Sequence, residues 1–183
     1  MAEVADLMTL EEVAEHLRVT KKTIYRMLEK QRIPSTRVGH QYRFQTDAID
    51  MWLRHNSTGT AARILVVDDD KDICSLFEDV LEDAGHLVTT ATSSAKALKL
   101  VNGSEFDMVF LDLVMPGMDG AELFREIRDV KPDLPVTIAT GYPDSELMVK
   151  ALEIGPFAVM KKPFTGDDIL AVVRVFLHAG VPS

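Results

Sequence analysis

The sequence predicts an α/β fold for residues 63 to 183 and a separate small helical module ahead of it. Three observations carry this. From Arg63 onward, five short apolar runs alternate with amphipathic stretches at helical spacing, the pattern of βαβ units that build a parallel sheet covered on both faces. Before Arg63 stands HNSTGTAA, a small, polar segment without hydrophobic period, as a connector should be. The charge divides at the same place: residues 1 to 60 hold nine Lys/Arg against eight Asp/Glu, and the remainder carries the whole acidic excess of a chain whose net charge is −9. The expected division is 1–54 for the first module, 55–62 for the connector and 63–183 for the second domain.

In the first module, Thr9 and Glu12 have capping-box spacing, and Leu10, Val13, Ala14 and Leu17 then recur on one helical face. After a turn at Arg18-Val19, Thr20 caps a second helix with Ile24, Met27 and Leu28 inward, leaving Lys21, Lys22, Tyr25, Arg26 and Lys30 largely outside. Pro34 closes that helix. Residues 35–38 and 41–44 alternate in polarity around Gly39-His40 and predict a small β-hairpin. Thr46 caps a last helix with Ile49, Trp52 and Leu53 inward, Trp52 anchoring the small core.

In the second domain the strands are expected at 64–67, 87–91, 108–111, 136–140 and 157–161, each followed by a helix. The clearest helices carry Ile73, Leu76, Phe77, Val80, Leu81 and Ala84 on one face, and Ile169, Val172, Val173, Phe176 and Leu177 on another. Five βα units in about 120 residues fit a flavodoxin-like, doubly wound five-stranded parallel sheet of order 2-1-3-4-5. In such a sheet, ligands collect beyond the carboxyl ends of the strands. Strand one runs into Asp68-Asp69-Asp70, strand three into Asp112, strand four into Thr140 and strand five into Lys161-Lys162. Converging carboxylates repel one another unless a cation neutralises them, and an oxygen-only ligand set suits Mg²⁺. A carboxylate so held can attack a phosphoryl donor and become an acyl phosphate, with Lys162 neutralising the transferring oxygens and the Thr140 hydroxyl bonding one of them. Asp70 is expected to cap the helix that follows rather than bind metal.

Other classes are excluded or set aside on composition. No apolar run approaches the ~18 residues of a membrane span, and the N-terminus lacks the basic start and apolar stretch of a signal peptide, so a cytoplasmic protein with no membrane partner is expected. The single cysteine, Cys74, excludes an internal disulfide and a multi-cysteine zinc site, and beside Ile73 and Leu76 it reads as a small buried side chain. His16 and His40 have no partner at metal spacing and read as surface or packing residues. No nucleophile-base pair is evident beyond the phosphoryl site, so an enzyme acting on an external substrate is not expected.

The stretches ILVVDDD, FLDLVMPGMDG, LPVTIATG and KKPF closely resemble the response regulator receiver family, over essentially all of 63 to 178. The resemblance implies that Asp68 and Asp69 bind Mg²⁺ together with Asp112, and that Asp112 is the phosphoacceptor. It further implies that Thr140 is the switch hydroxyl, that Lys162 is the family's lysine, and that Pro163 follows a cis peptide bond. It makes a sensor histidine kinase or phosphotransfer protein the phosphoryl donor. Two positions depart from the family pattern: Val159 stands where many members keep a rotating Tyr or Phe, with Phe157 two residues earlier, and the position two after the phosphoacceptor is Val114.

The segment MTLEEVAEHLRVTKKTIYRMLEKQRIPSTRVGHQYRFQTDAIDMWL resembles the excisionase-like branch of the MerR-like DNA-binding domains, a winged helix-turn-helix. Arg18 to Gln45 holds eight basic residues against Glu29 alone, a charge suited to a phosphate backbone. The resemblance implies contacts with double-stranded DNA from Lys21, Lys22, Thr23, Tyr25 and Arg26 in the second helix and from Arg37, His40, Gln41 and Arg43 in the wing. One such module offers few phosphate contacts, and receivers of this family commonly pair through their last two βα units when phosphorylated, so a phosphorylation-dependent homodimer is expected to place two modules on one site. The alternative is a phosphorelay adaptor whose helix-turn-helix module binds protein rather than DNA.

Overall fold

A computed structural model describes residues 7–29, 33–55, 61–117 and 119–179. Lys30, Arg32, Met118 and connector residues 56–60, on which parts of the sequence reading fall, lie outside them.

The front module is β1 (Leu7–Met8), α1 (Leu10–His16), α2 (Lys21–Glu29), β2 (Thr36–Val38), β3 (Gln41–Gln45) and α3 (Thr46–His55). The capping box forms as the sequence predicts: the Glu12 amide donates to Thr9 Oγ1 at 3.2 Å and the Thr9 amide donates to Glu12 Oε2 at 2.7 Å. Thr20 Oγ1 accepts from the Thr23 amide at 3.3 Å and so caps α2. Between the helices, Arg18 takes φ 55°, the left-handed turn that redirects the chain after the Leu17 C-cap. The hairpin is present, and β1 adds to it as a third strand in the order β1-β3-β2, a strand too short to leave a period in the sequence. Helix α3 already includes Thr46, the expected cap, and so starts one position earlier than expected.

The second domain runs β4 (Arg63–Val67), α4 (Lys71–Asp83), β5 (Leu87–Ala91), α5 (Ser94–Gly103), β6 (Met108–Asp112), α6 (Gly120–Val130), β7 (Val136–Thr140), α7 (Glu146–Ile154), β8 (Ala158–Lys161) and α8 (Gly166–Ala179). Its strands pair in parallel in the order β5-β4-β6-β7-β8, which is the predicted 2-1-3-4-5. Alternate strand residues serve opposite faces, as the pleat requires. Leu65, Val67, Val109, Leu111 and Ile138 pack under α5, α6 and α7, while Ile64, Val66, Met108 and Phe110 pack under α4 and α8. Ala84 departs from expectation: as the C-cap of α4 it is exposed, because the helix has ended before its inward face comes round again.

The second of these apolar clusters does not stop at the domain. It continues through Phe157, Ala158, Val175, Phe176 and Ala179 into Val13, Leu17, Val19, Ile24 and Met27 of the front module. Trp52, expected to anchor the small core, lies edge-on to His178 of α8 with ring centroids 4.9 Å apart, so it spans both parts. Among the described residues no helix is long and apolar enough to cross a membrane.

Candidate functional site: an acidic cluster at the carboxyl edge of the sheet

Four strands deliver the polar side chains. β4 ends at Val67 and releases Asp68 and Asp69, β6 ends on Asp112, β7 ends on Thr140, and Lys162 follows the last residue of β8. The parallel register holds Asp112 level with Ala139 and Thr140 level with Lys161, so the strand ends lie at one height along the sheet. Asp70 caps α4, with its side chain accepting from the Asp72 amide at 2.8 Å, as the sequence predicts.

Carboxylate oxygens of Asp68, Asp69 and Asp112 lie within 4.8 Å of one another, with Asp68 and Asp112 buried and Asp69 exposed. The Lys162 ammonium bridges the buried pair, 2.7 Å from Asp68 Oδ2 and 3.0 Å from Asp112 Oδ2. The other oxygen of each carboxylate accepts a local amide: Asp70 N–H donates to Asp68 Oδ1 at 3.0 Å, and Val114 N–H donates to Asp112 Oδ1 at 3.2 Å. Both groups are thus aimed rather than free to rotate. Thr140 is fully buried, its Oγ1 accepting from the Tyr142 amide at 3.1 Å, and its carbonyl accepts from the Lys162 amide at 2.8 Å.

One ammonium among three carboxylates leaves an excess of negative charge. Burial raises the Asp68 carboxyl above its ordinary value, the nearby Asp112 adds to this, and the bonds from Lys162 and the Asp70 amide oppose it only in part. Burial lowers the Lys162 ammonium, but its bonds to Asp68 and Asp112 outweigh that and leave it raised. Three clustered carboxylate oxygens, one set on the open side, are a donor set that fits a hard divalent cation such as Mg²⁺.

Gly120, which the sequence reading did not single out, sets the wall of this site. A Cβ there would overlap Leu113 Cα and the Asp112 carbonyl oxygen, so only glycine lets α6 start this close to the loop that follows β6. The Lys162–Pro163 peptide bond is cis, as the resemblance implies.

The family model for the response regulator receiver domain matches residues 64–174. The chain belongs to the response regulator receiver family. A second model, a helix-turn-helix domain, matches residues 7–57, so this member joins a helix-turn-helix domain to its receiver. The C4-dicarboxylate transport transcriptional regulatory protein DctD of Rhizobium meliloti (strain 1021) is 35% identical over 114 residues, covering 62% of this chain and 25% of that protein. The DNA-binding transcriptional regulator NtrC of Escherichia coli (strain K12) is 37% identical over 111 residues, covering 61% of this chain and 24% of that protein. The chain therefore spans about a quarter of the length of these curated relatives. Among solved structures, a CheY-like receiver domain protein from Methanospirillum hungatei JF-1 superposes with a TM-score of 0.62 at 30% identity, over 64% of this chain and 94% of that one. NtrX from Brucella abortus gives 0.61 at 37% identity, over 67% of this chain and 28% of that one.

The residues expected to meet DNA divide into two groups in this receiver-linked domain. Lys21 is exposed and pairs with Glu11 at 2.7 Å, Tyr25 is exposed, and Arg37, His40 and Gln41 of the wing are exposed, with Arg43 half-buried and bonded to the Gln41 side chain at 2.7 Å. Thr23 and Arg26 are not outward. Thr23 is 3% exposed and donates through Oγ1 to the Phe157 carbonyl at 2.7 Å, while the Arg26 guanidinium lies 5.9 Å from the Phe157 ring centroid. Burial lowers the Arg26 guanidinium below its ordinary value. Strand β8 and α8, part of the last two βα units expected to serve a dimer, carry the front module.

A signal for this was present in α8. Beyond the stripe Ile169, Val172, Val173 and Phe176, the helix also buries Val175 and His178, and a helix apolar around more than one face is covered on more than one side.

Proposed function

We propose that the chain is a DNA-binding response regulator in which phosphorylation of Asp112 controls the helix-turn-helix domain. The observation that carries this reading is the bridge of Lys162 between Asp68 and Asp112 beside Asp69, in a chain that also holds a helix-turn-helix domain. Residues 1–54 act as the DNA-binding domain, 55–62 as the connector and 63–183 as the receiver, in the cytoplasm.

Asp68, Asp69 and Asp112 would hold Mg²⁺, which when bound neutralises charge on the transferring phosphoryl oxygens. The donor is a phosphohistidine of a sensor histidine kinase or phosphotransfer protein. An Asp112 carboxylate oxygen attacks its phosphorus, the O–P bond forms, the N–P bond breaks and the imidazole leaves with the electron pair. The Val114 amide and Lys162 hold the carboxylate in line for that attack, and Lys162 is the cation that follows the charge onto the phosphoryl group. The Thr140 hydroxyl, at the adjacent strand end, can then donate to a phosphoryl oxygen. The protein assists its own modification and is not an enzyme toward an external substrate.

On the DNA side, the exposed Arg37, His40 and Gln41, with Lys21 and Tyr25, support contact with a duplex, the cations giving salt-dependent affinity. Lys22 and Arg43 extend this surface, while Thr23 and Arg26 would join it only when α2 leaves Phe157. The Thr23 bond to a protein carbonyl favours a second reading, an adaptor whose helix-turn-helix module binds protein.

The test is fluorescence anisotropy on mixed genomic DNA fragments at two salt concentrations, with and without Mg²⁺ and acetyl phosphate, beside Asp112→Asn. Salt-sensitive binding that changes only when Asp112 can be phosphorylated is the expected result. Phosphorylation by intact mass with no DNA binding in either state would transfer the module to the adaptor reading.

A further inference from the structure

Strand β8 is an edge strand, so its outer row of N–H and C=O groups has no partner within the sheet. The helix-turn-helix turn supplies one. Val19 bridges Ala158 in antiparallel fashion, and the Thr20 amide donates to the Phe157 carbonyl at 3.1 Å. The Thr23 hydroxyl donates to the same carbonyl at 2.7 Å, and the Thr20 hydroxyl donates to the Pro156 carbonyl at 3.0 Å. Around this backbone contact stand charge and packing contacts. Arg18 pairs with Asp168 in the first turn of α8. The Lys22 ammonium lies over Gly155, the C-cap of α7, where the helix end attracts a cation. Arg26 lies over Phe157 with its Nη2 buried and unpartnered.

These are the first two turns of α2, and the N-terminal part of a recognition helix is the part that meets base edges. Lys22, Thr23 and Arg26 therefore cannot serve this sheet edge and a duplex at once. At the other end of β8, a strand of only four residues, comes Lys162, whose ammonium is held by Asp68 and Asp112. A phosphoryl group on Asp112 offers that ammonium new oxygens and so pulls on the residue that directly follows the strand. With Val159 on β8 there is no ring at that position to rotate, and the strand's own backbone is the connection between the two sites.

We propose that the outer edge of β8 is a docking surface for the first turns of α2, that duplex DNA competes with it for Lys22, Thr23 and Arg26, and that phosphorylation of Asp112 releases the contact through Lys162 and β8. This rests on the proposed function above, and the test separates the two. Hydrogen exchange is followed by mass spectrometry on the full chain, with and without Mg²⁺ and beryllofluoride, together with intact mass after acetyl phosphate. The expected result is exchange at least about ten-fold faster in the segments around Thr20 and Ala158 together, as follows for a shared contact that opens locally. Protection of both segments unchanged while Asp112 is phosphorylated overturns the release and leaves the phosphorylation reading standing. Absence of phosphorylation overturns both.

Competition is tested by Val175→Asp, which sets a charge on α8 in the cleft shared with Leu17 and Leu53, away from Asp112 and from the α2 cations. DNA binding without phosphodonor is expected to tighten about ten-fold, a difference of about 1.4 kcal/mol. Arg18→Glu, which places like charges opposite Asp168 at an exposed position, is the companion should Val175→Asp fail to fold. Faster exchange around Thr20 in either variant with unchanged DNA affinity would overturn the competition.

Discussion

Removing Lys162 and removing Asp112 should move stability in opposite directions when divalent cations are absent. The Lys162 ammonium is 2.7 Å from Asp68 and 3.0 Å from Asp112, and its side chain is 22% exposed. At an effective dielectric of about 20, each attraction is worth about 6 kcal/mol. Returning the ammonium's hydration cost recovers several kcal/mol, so Lys162→Met should lose about 3 kcal/mol, in line with the general cost of stranding one partner of a buried pair. For a chain of this size that is a fall in Tm of about 9 °C. Asp112→Asn also loses one such attraction, but it removes repulsions from Asp68 and Asp69, whose oxygens lie within 4.8 Å, each at least about 3.5 kcal/mol on the same scale. The net is a gain of about 1 kcal/mol. The assay is thermal unfolding by circular dichroism in EDTA and again in Mg²⁺, which should stabilise the wild type more than Asp112→Asn. Equal melting of Lys162→Met and wild type in EDTA would refute the electrostatic account of the site.

Gly120→Ala forces a methyl against Leu113 Cα and the Asp112 carbonyl, so it should cost about 3 kcal/mol by urea unfolding and slow phosphorylation from acetyl phosphate, since the loop that moves carries Asp112. His86 accepts from the Ala62 amide at 3.2 Å and burial lowers its pKa, so the folded chain holds it neutral. Its stabilising contribution is complete above the unfolded value of about 6.5 and is lost as pH falls from there toward the lower folded value. His86→Asn should flatten the pH dependence of unfolding in that window. The Cys74 thiol is 4% exposed, donates to the Asp68 carbonyl at 3.3 Å and is raised by burial, so iodoacetamide should label it only at the rate of unfolding or local opening.

Most of the receiver was legible because parallel strands are short apolar runs whose ends release the unusual polar residues. All five expected strands match to within one residue at either end, and Asp68, Asp69, Asp112 and Lys162 do converge. Ala158 starts β8 one residue later than expected, because the Phe157 carbonyl is turned to the front module. What was not legible depends on contacts between distant segments. The resemblance implies that Thr23 meets DNA, and its burial against the Phe157 carbonyl is a contact with a segment 134 residues away. Nothing in the stretch FLDLVMPGMDG sets Gly120 apart from Gly117, and only the approach of α6 to Leu113 makes its missing side chain a requirement. β1 is a two-residue strand defined by its partner β3, with nothing in its own period to reveal it.

The docked front module also sets a condition on self-association. A pairing of two receivers through β8 and α8 needs the surface that Val19, Thr20, Leu17 and Trp52 now cover. Release exposes that surface together with an unpaired strand edge, and an exposed edge is a ready template for a second chain. Dimerisation should therefore follow release and not accompany the closed form. Light scattering over a concentration series is expected to show monomer without beryllofluoride and dimer with it, and Val175→Asp, which disturbs the shared apolar surface, should open without pairing as tightly. A released chain, identified by fast exchange around Thr20, that stays monomeric at high concentration would show that a single helix-turn-helix domain, not a pair, is what phosphorylation delivers to DNA.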